Sequence, residues 1–157
     1  MRKTTKRKGK VKSLSLLDFV NIYNAPPQTI IDIVRDGVSA RELKDLFKKL
    51  DVPQHLILVS LRLTAATVNR KAQSGEKLSS MHSELVLGVL KMVGQVQSMV
   101  VDSGNPEGFN AAQWLAHWLA IPLPALNGEH PADYLDTIEG QRMISNLLSR
   151  MQSGAYS

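Results

Sequence analysis

Residues 79–102 read Ser-Ser-Met-His-Ser-Glu-Leu-Val-Leu-Gly-Val-Leu-Lys-Met-Val-Gly-Gln-Val-Gln-Ser-Met-Val-Val-Asp. Met81, Leu85, Val89, Val93, Val96 and Val100 recur at intervals of four, four, four, three and four, which is the period of an α-helix and not of a strand. A helix over 80–102 is roughly 33 Å long at 1.5 Å per residue. Val86, Leu87, Leu90, Met92 and Met99 widen its apolar surface beyond one stripe, so it is predicted to be the spine of the molecule, to pack on more than one neighbour and to support self-association.

Upstream, the signals are those of short helices. Leu16, Leu17, Phe19, Val20 and Ile22 give a short apolar segment over 14–23 that fits helix or strand and is read as a helix. Pro26 and Pro27 suit a helix start and Gly37 a left-handed stop, predicting a helix over 27–36. Ser39 and Glu42 have capping-box spacing ahead of Leu43, Leu46, Phe47 and Leu50, predicting a second over 40–50. The run Leu56–Leu61 is apolar enough for a buried strand, but Pro53 before it and helical periods on both sides favour a buried helix. Thr64 then caps a further helix that ends at Gly75.

Downstream, Ser103–Gly108 reads as a linker. Helices follow over 111–120 and 138–152, separated by a proline-punctuated loop and a short helical turn over 132–137. Thr137 is the expected cap of the last helix, which presents Ile138, Met143, Ile144, Leu147, Leu148 and Met151 as its apolar face. The fold class is therefore all-α, and the expected division is a disordered basic tail over 1–13, a first domain with the long helix over 14–103, and a second over 104–157.

Charge is distributed unevenly along the 157 residues. Seven of the nineteen basic residues fall among the first twelve positions, and the remainder of the chain carries a net charge of −2. From Asp102 onward six acidic residues face only Arg142 and Arg150, a net charge of −4. A basic start and an acidic end suggest two partners, one polyanionic and one basic.

Chemistry of an enzymatic kind finds no support. There is no cysteine. His55, His82, His117 and His130 are scattered without a second ligand at i+3 or i+4, so no metal site is expected. No nucleophile elbow, phosphate-binding glycine loop or dinucleotide fingerprint occurs, and no cofactor is expected. The N-terminus lacks the apolar core of a signal peptide, and no run approaches a membrane span of roughly 20 apolar residues; the expected location is the cytoplasm, without membrane contact.

Two constellations carry information. In the first, an apolar helix, the turn Leu61-Arg62-Leu63-Thr64 and a helix opening Ala65-Ala66-Thr67-Val68-Asn69-Arg70-Lys71 have the layout of a helix-turn-helix. The small Ala65 and Ala66 permit close approach to a surface. Thr64, Thr67, Asn69, Arg70 and Lys71 supply donors for phosphates and base edges, and are the expected DNA-binding residues. This stretch resembles the helix-turn-helix of Xre-like regulators, in which a Leu-Gly-apolar-Ser turn leads into Thr-Val-x-Arg. Arg62 stands where glycine is usual, and a non-glycine residue in the left-handed region costs about 1 kcal/mol or more.

In the second, Trp118-Leu119, Pro122, Leu126, Gly128, Pro131, Tyr134-Leu135, Thr137, Gly140, Leu147-Leu148, Arg150 and Gly154 stand at the spacing of the toxin-binding domain of Xre/MbcA/ParS-type antitoxins. The chain is similar to that family in the order of its parts over most of its length beyond the tail. The resemblance implies a non-enzymatic homodimer that neutralises a cognate RES-domain toxin, a protein with an ADP-ribosyltransferase-like fold that degrades NAD, and that represses its own operon by binding operator DNA. Within the C-terminal segment Trp118, Leu119, Leu135, Ile144, Leu147 and Leu148 are expected in the core. Leu126, Asn127, Gly128, Asn146, Arg150 and Tyr156 are expected to touch the toxin, with Arg150 and Tyr156 entering or covering its cleft. The alternative is a stand-alone helix-turn-helix transcriptional regulator whose C-terminal domain only dimerises.

Overall fold

The structure, a computed structural model, describes residues 14–154. Among them the order of elements is α1 (Phe19–Asn24), α2 (Pro27–Asp36), α3 (Ala40–Leu50), α4 (Gln54–Ser60), α5 (Ala65–Gln73), α6 (Ser80–Asp102), α7 (Ala111–Leu119), two 3₁₀ turns, Pro124–Leu126 and Pro131–Tyr134, and α8 (Ile138–Gln152). The protein is all-α; among the described residues a single antiparallel bridge pairs Ser39 with Lys77. The expected basic tail over 1–13 and Tyr156 lie outside the described residues.

The caps expected at Ser39, Thr64 and Thr137 are formed. Ser39, Thr64, Ser79 and Thr137 each accept a hydrogen bond from the backbone N–H three residues on, as does Asn110 at the start of α7. Such a bond satisfies one of the donors orphaned at a helix start and is worth about 1 kcal/mol. The short N-terminal helix begins later than expected. Asp18 N–H donates to Ser15 O in a turn, Leu16 reaches the core from that turn, and regular helix starts only at Phe19.

From Leu85 to Val96, every residue of α6 except Gly88 and Lys91 is buried. The helix is packed by α1, α2, α7 and α8, so the wide apolar surface that the sequence assigned in part to self-association is covered within the chain. Its exposed apolar residues sit near the ends, Met81 at 62% and Val101 at 52% exposure. By length and composition α6 could cross a membrane, with a mean hydropathy of 1.4, but 56% of that window is buried inside the protein. Gly94 is what lets α1 lie against it: a Cβ there would fall 2.1 Å from Phe19 O.

The linker after α6 is exposed from Val101 through Asn110, yet the hydrophobic core runs across it without a break. Leu43, Leu46, Ile57 and Leu61 from the upstream helices and Ala112, Leu115 and Leu119 from α7 meet Val86, Val89, Leu90 and Val93 around a void of about 40 Å³. The two expected domains therefore share one core with α6 at its centre. Three buried polar side chains fasten this arrangement. Ser83 accepts from Val38 N–H at 2.8 Å. Gln95 donates to Ser145 O at 3.0 Å and Ser149 Oγ at 2.9 Å, and accepts from Ser145 Oγ at 2.8 Å. Gln141 donates to Leu85 O and Leu135 O, both at 3.0 Å.

Candidate functional site

The first candidate surface is α5 and the turn before it. Val68 and Ala72 are buried and hold α5 against α3, where Arg41 Nη2 donates to Ala72 O at 3.2 Å. Ala66, Arg70 and Gln73 lie on the opposite side and are exposed, together with Asn69. Two threonines expected to contact DNA are engaged with each other: Thr64 Oγ1 caps α5 and lies 2.9 Å from Thr67 Oγ1. Their first role is thus to fix the start of α5, and a free lone pair or proton would have to come from that pair. Arg70 is exposed, with Glu76 at 3.9 Å. Lys71 is only half-exposed, and its Nζ donates to Lys77 O at 3.3 Å. Arg62 adopts φ 55°, the left-handed conformation that favours glycine, the residue expected at this place in the turn.

The second surface is built from the loop after α7 and from α8. Trp118 stacks on Trp114 with ring centroids 6.1 Å apart and planes 10° apart; this pair fixes the exit of α7. The chain then closes on itself, because Gly128 N–H donates to Leu123 O at 2.9 Å and Leu123 N–H to Glu129 O at 3.1 Å. Asn127 and Gly128 form the tip, both with positive φ and both exposed. Leu126, expected among the contacts, is instead buried at 8% exposure and supports the tip from beneath.

Tyr134 donates to the Glu129 carboxylate. That hydrogen bond, then desolvation and the charges of Glu129 and Asp133, hold the phenol above its ordinary pKa. On α8, Ile144, Leu147 and Leu148 are buried, as are Trp118, Leu119 and Leu135, all as expected, whereas Asn146 and Arg150 face outward. Arg150 lies in the last turn of α8, where a cation also complements the negative end of the helix dipole.

No group of three or more potential metal ligands occurs among the described residues. The cavities are either apolar core or surface grooves.

Residues 107–154 match the family described as the antitoxin Xre/MbcA/ParS C-terminal toxin-binding domain. The chain is also 43% identical, over 98% of its own length and 97% of the other's, to the Prs ADP-ribosylating antitoxin of Sphingobium sp. (strain YBL2). The chain belongs to the Xre/MbcA/ParS-type antitoxins. It binds and neutralises a toxin, and like antitoxins of this kind it is not an enzyme. The alternative of a C-terminal domain that only dimerises gives way to this match.

Several residues that brace this antitoxin's surfaces were not singled out from sequence. Gln141 stands three and seven residues before the buried Ile144 and Leu148, so its core-facing position was readable from the helical period. Gln95 lies inside the apolar run of α6 and was equally readable. The pairing of Tyr134 with Glu129, and of Arg62 with Asp136 at 2.7 Å, joins different elements and left no local signal.

Proposed function

We propose that this antitoxin neutralises a RES-domain toxin that consumes NAD, that it acts in the cytoplasm, and that as a homodimer it binds operator DNA through α5 and represses its own operon. The observation that carries the toxin reading is the near-full-length likeness to an antitoxin whose name specifies ADP-ribosylation. ADP-ribosyl transfer and NAD hydrolysis begin with the same event, cleavage of the bond between nicotinamide and ribose. They differ in whether a protein side chain or water accepts the ADP-ribosyl group. An antitoxin that fills the NAD cleft stops both.

Asn127 and Gly128 at the loop tip, and Asn146 and Arg150 on α8, are the proposed contacts within the described residues. They are exposed on elements whose opposite faces are locked into the core, so they are presented without an ordering cost. A guanidinium offers stacking and directional hydrogen bonds, which is why arginine is frequent among the residues that dominate interfaces. Tyr156 is proposed to act beside Arg150.

The DNA reading rests on the layout of α4, turn and α5 and on the exposed Asn69 and Arg70, next to the small side chains of Ala65 and Ala66. The homodimer follows from the two half-sites that helix-turn-helix proteins read, and not from surplus surface on α6. Co-purification with the product of the adjacent reading frame is the test. A stable complex in which NAD consumption is suppressed in proportion to bound antitoxin is expected; a protein that purifies alone and leaves that activity untouched would overturn the RES assignment.

A further inference from the structure

Arg62 holds a backbone conformation that glycine would take without strain, and its side chain does something glycine could not. Nη2 lies 2.7 Å from Asp136 Oδ2, with the arginine side chain 79% exposed and the aspartate 20%. Asp136 belongs to the segment between the second 3₁₀ turn and α8, inside the toxin-binding domain. The pair spans a seam where α4 meets that 3₁₀ turn. A cleft of about 210 Å³ opens there, lined by Leu56, Val59 and Ser60 on one side and Ala132 and Asp133 on the other, as well as by Arg62 and Asp136. Unlike the core around α6, this seam is open to solvent.

The position of Arg62 relative to the proposed DNA surface is specific. It lies two residues before Thr64, the cap of α5, and the N-terminal end of a recognition helix is the end presented to DNA. The other cations nearby are partly engaged, Arg70 toward Glu76 and Lys71 on Lys77 O. Arg62 is a third cation at this surface, and a carboxylate from the toxin-binding domain holds it.

We propose that Arg62 is a phosphate ligand of the DNA surface and that Asp136 holds it in reserve, so that the toxin-binding domain sets part of the affinity for DNA. The proposal rests on α5 being the DNA reader. A guanidinium binds carboxylate and phosphate with the same forked geometry, so Asp136 and a DNA phosphate are competing ligands. If Arg62 swings to phosphate, the carboxylate it leaves is a bare negative charge beside the backbone. The exchange needs only rotation of an exposed side chain, with no helix displaced. A toxin that engages Asp136 with a cation of its own releases Arg62 and tightens DNA binding, and by linkage DNA then favours the toxin complex to the same degree.

A mobility-shift titration of the full chain on the DNA upstream of its own reading frame, at several salt concentrations, tests this with Asp136→Asn, Arg62→Gly and the double variant. Arg62→Gly suits the left-handed turn and keeps the fold, which circular dichroism melting checks. Asp136→Asn is expected to bind about two- to fivefold more tightly, the range of one exposed ion pair, with the salt dependence steeper by about one phosphate contact. Arg62→Gly binds more weakly than wild type, and the double variant binds like Arg62→Gly. Equal affinity of Asp136→Asn and wild type overturns the proposal. A gain from Asp136→Asn that survives in the double variant also overturns it, because Asp136 is then a repelling charge that does not act through Arg62. If the wild-type protein shifts no DNA at any salt concentration, the DNA reading fails and takes the role of Arg62 with it. Binding that is lost on Arg70→Ala but indifferent to Asp136→Asn defeats the reserve alone.

Discussion

Gln141→Glu changes one atom type in a buried side chain and should uncouple the C-terminal helix from the core. Gln141 is 5% exposed, and its amide nitrogen donates to Leu85 O on α6 and to Leu135 O ahead of α8, both at 3.0 Å. Its amide oxygen fills the space beside Gly88, where a Cβ would fall 1.7 Å from it. Glutamate keeps the shape but, when ionised, points a carboxylate at two carbonyl oxygens. Losing the donor and burying an unpaired charge should cost about 3–5 kcal/mol at pH 7. At roughly 2–4 °C per kcal/mol for a chain of this size, that is a melting temperature lower by about 6–20 °C. Protonation restores one donor, so the folded state binds the proton more tightly than the unfolded state and the carboxyl pKa rises above its ordinary value of about 4.3. The proton-linked part of the variant's stability is then present in full below that ordinary value and lost as pH rises toward the raised one, by up to about 1.4 kcal/mol per pH unit. Thermal melting of variant and wild type by circular dichroism from pH 5 to pH 8 reads this directly. A variant that melts within a degree or two of wild type at pH 7, or whose deficit shrinks as pH rises, would show that Gln141 does not hold α8 to α6.

Further outcomes follow from the two surfaces. Arg70→Ala with Lys71→Ala should leave the fold intact and weaken operator binding in a salt-controlled shift assay; unchanged affinity would remove α5 as the reader. Asn146→Ala with Arg150→Ala should melt like wild type, since both side chains are exposed, yet bind toxin at least tenfold more weakly in calorimetry, a loss of about 1.4 kcal/mol or more. Wild-type affinity in that variant would move the interface elsewhere. The Tyr134 phenol should ionise at higher pH than a free tyrosine in an alkaline spectrophotometric titration, because its O–H donates a hydrogen bond to the Glu129 carboxylate, which would be lost and replaced by repulsion on ionisation. Glu129→Gln should bring it back toward the ordinary value. A chain cut at Gly104 should fail to fold cooperatively, because it removes Leu115 and Leu119 from the core they share with α3 and α4.

Much of the fold was legible because helical periodicity and capping are local. The spacing from Met81 to Val100 specified α6, and Ser39, Thr64 and Thr137 marked where helices start. What sequence could not supply was the number of neighbours around α6. Its broad apolar surface was consistent with a second copy, and only the packing of α1, α2, α7 and α8 assigns it to the chain itself. The start of α1 was misplaced because Leu16 is apolar in a turn as it would be in a helix. Leu126 reads as exposed from its place in a loop, whereas loop closure from Leu123 to Glu129 turns its side chain inward in the free chain. At the candidate sites, the core residues of α8 were readable from their period. The tie between Arg62 and Asp136 was not, since no local pattern relates positions so distant in sequence.

The most direct measurement is growth and intracellular NAD in cells that express the product of the neighbouring reading frame, with and without the full-length antitoxin and its Asn146→Ala, Arg150→Ala variant. The full chain should restore both growth and NAD, and the folded variant should restore neither in full. If the toxin product depletes no NAD, or if the wild-type chain fails to restore growth at matched expression, neutralisation of an NAD-consuming toxin through the C-terminal surface is contradicted.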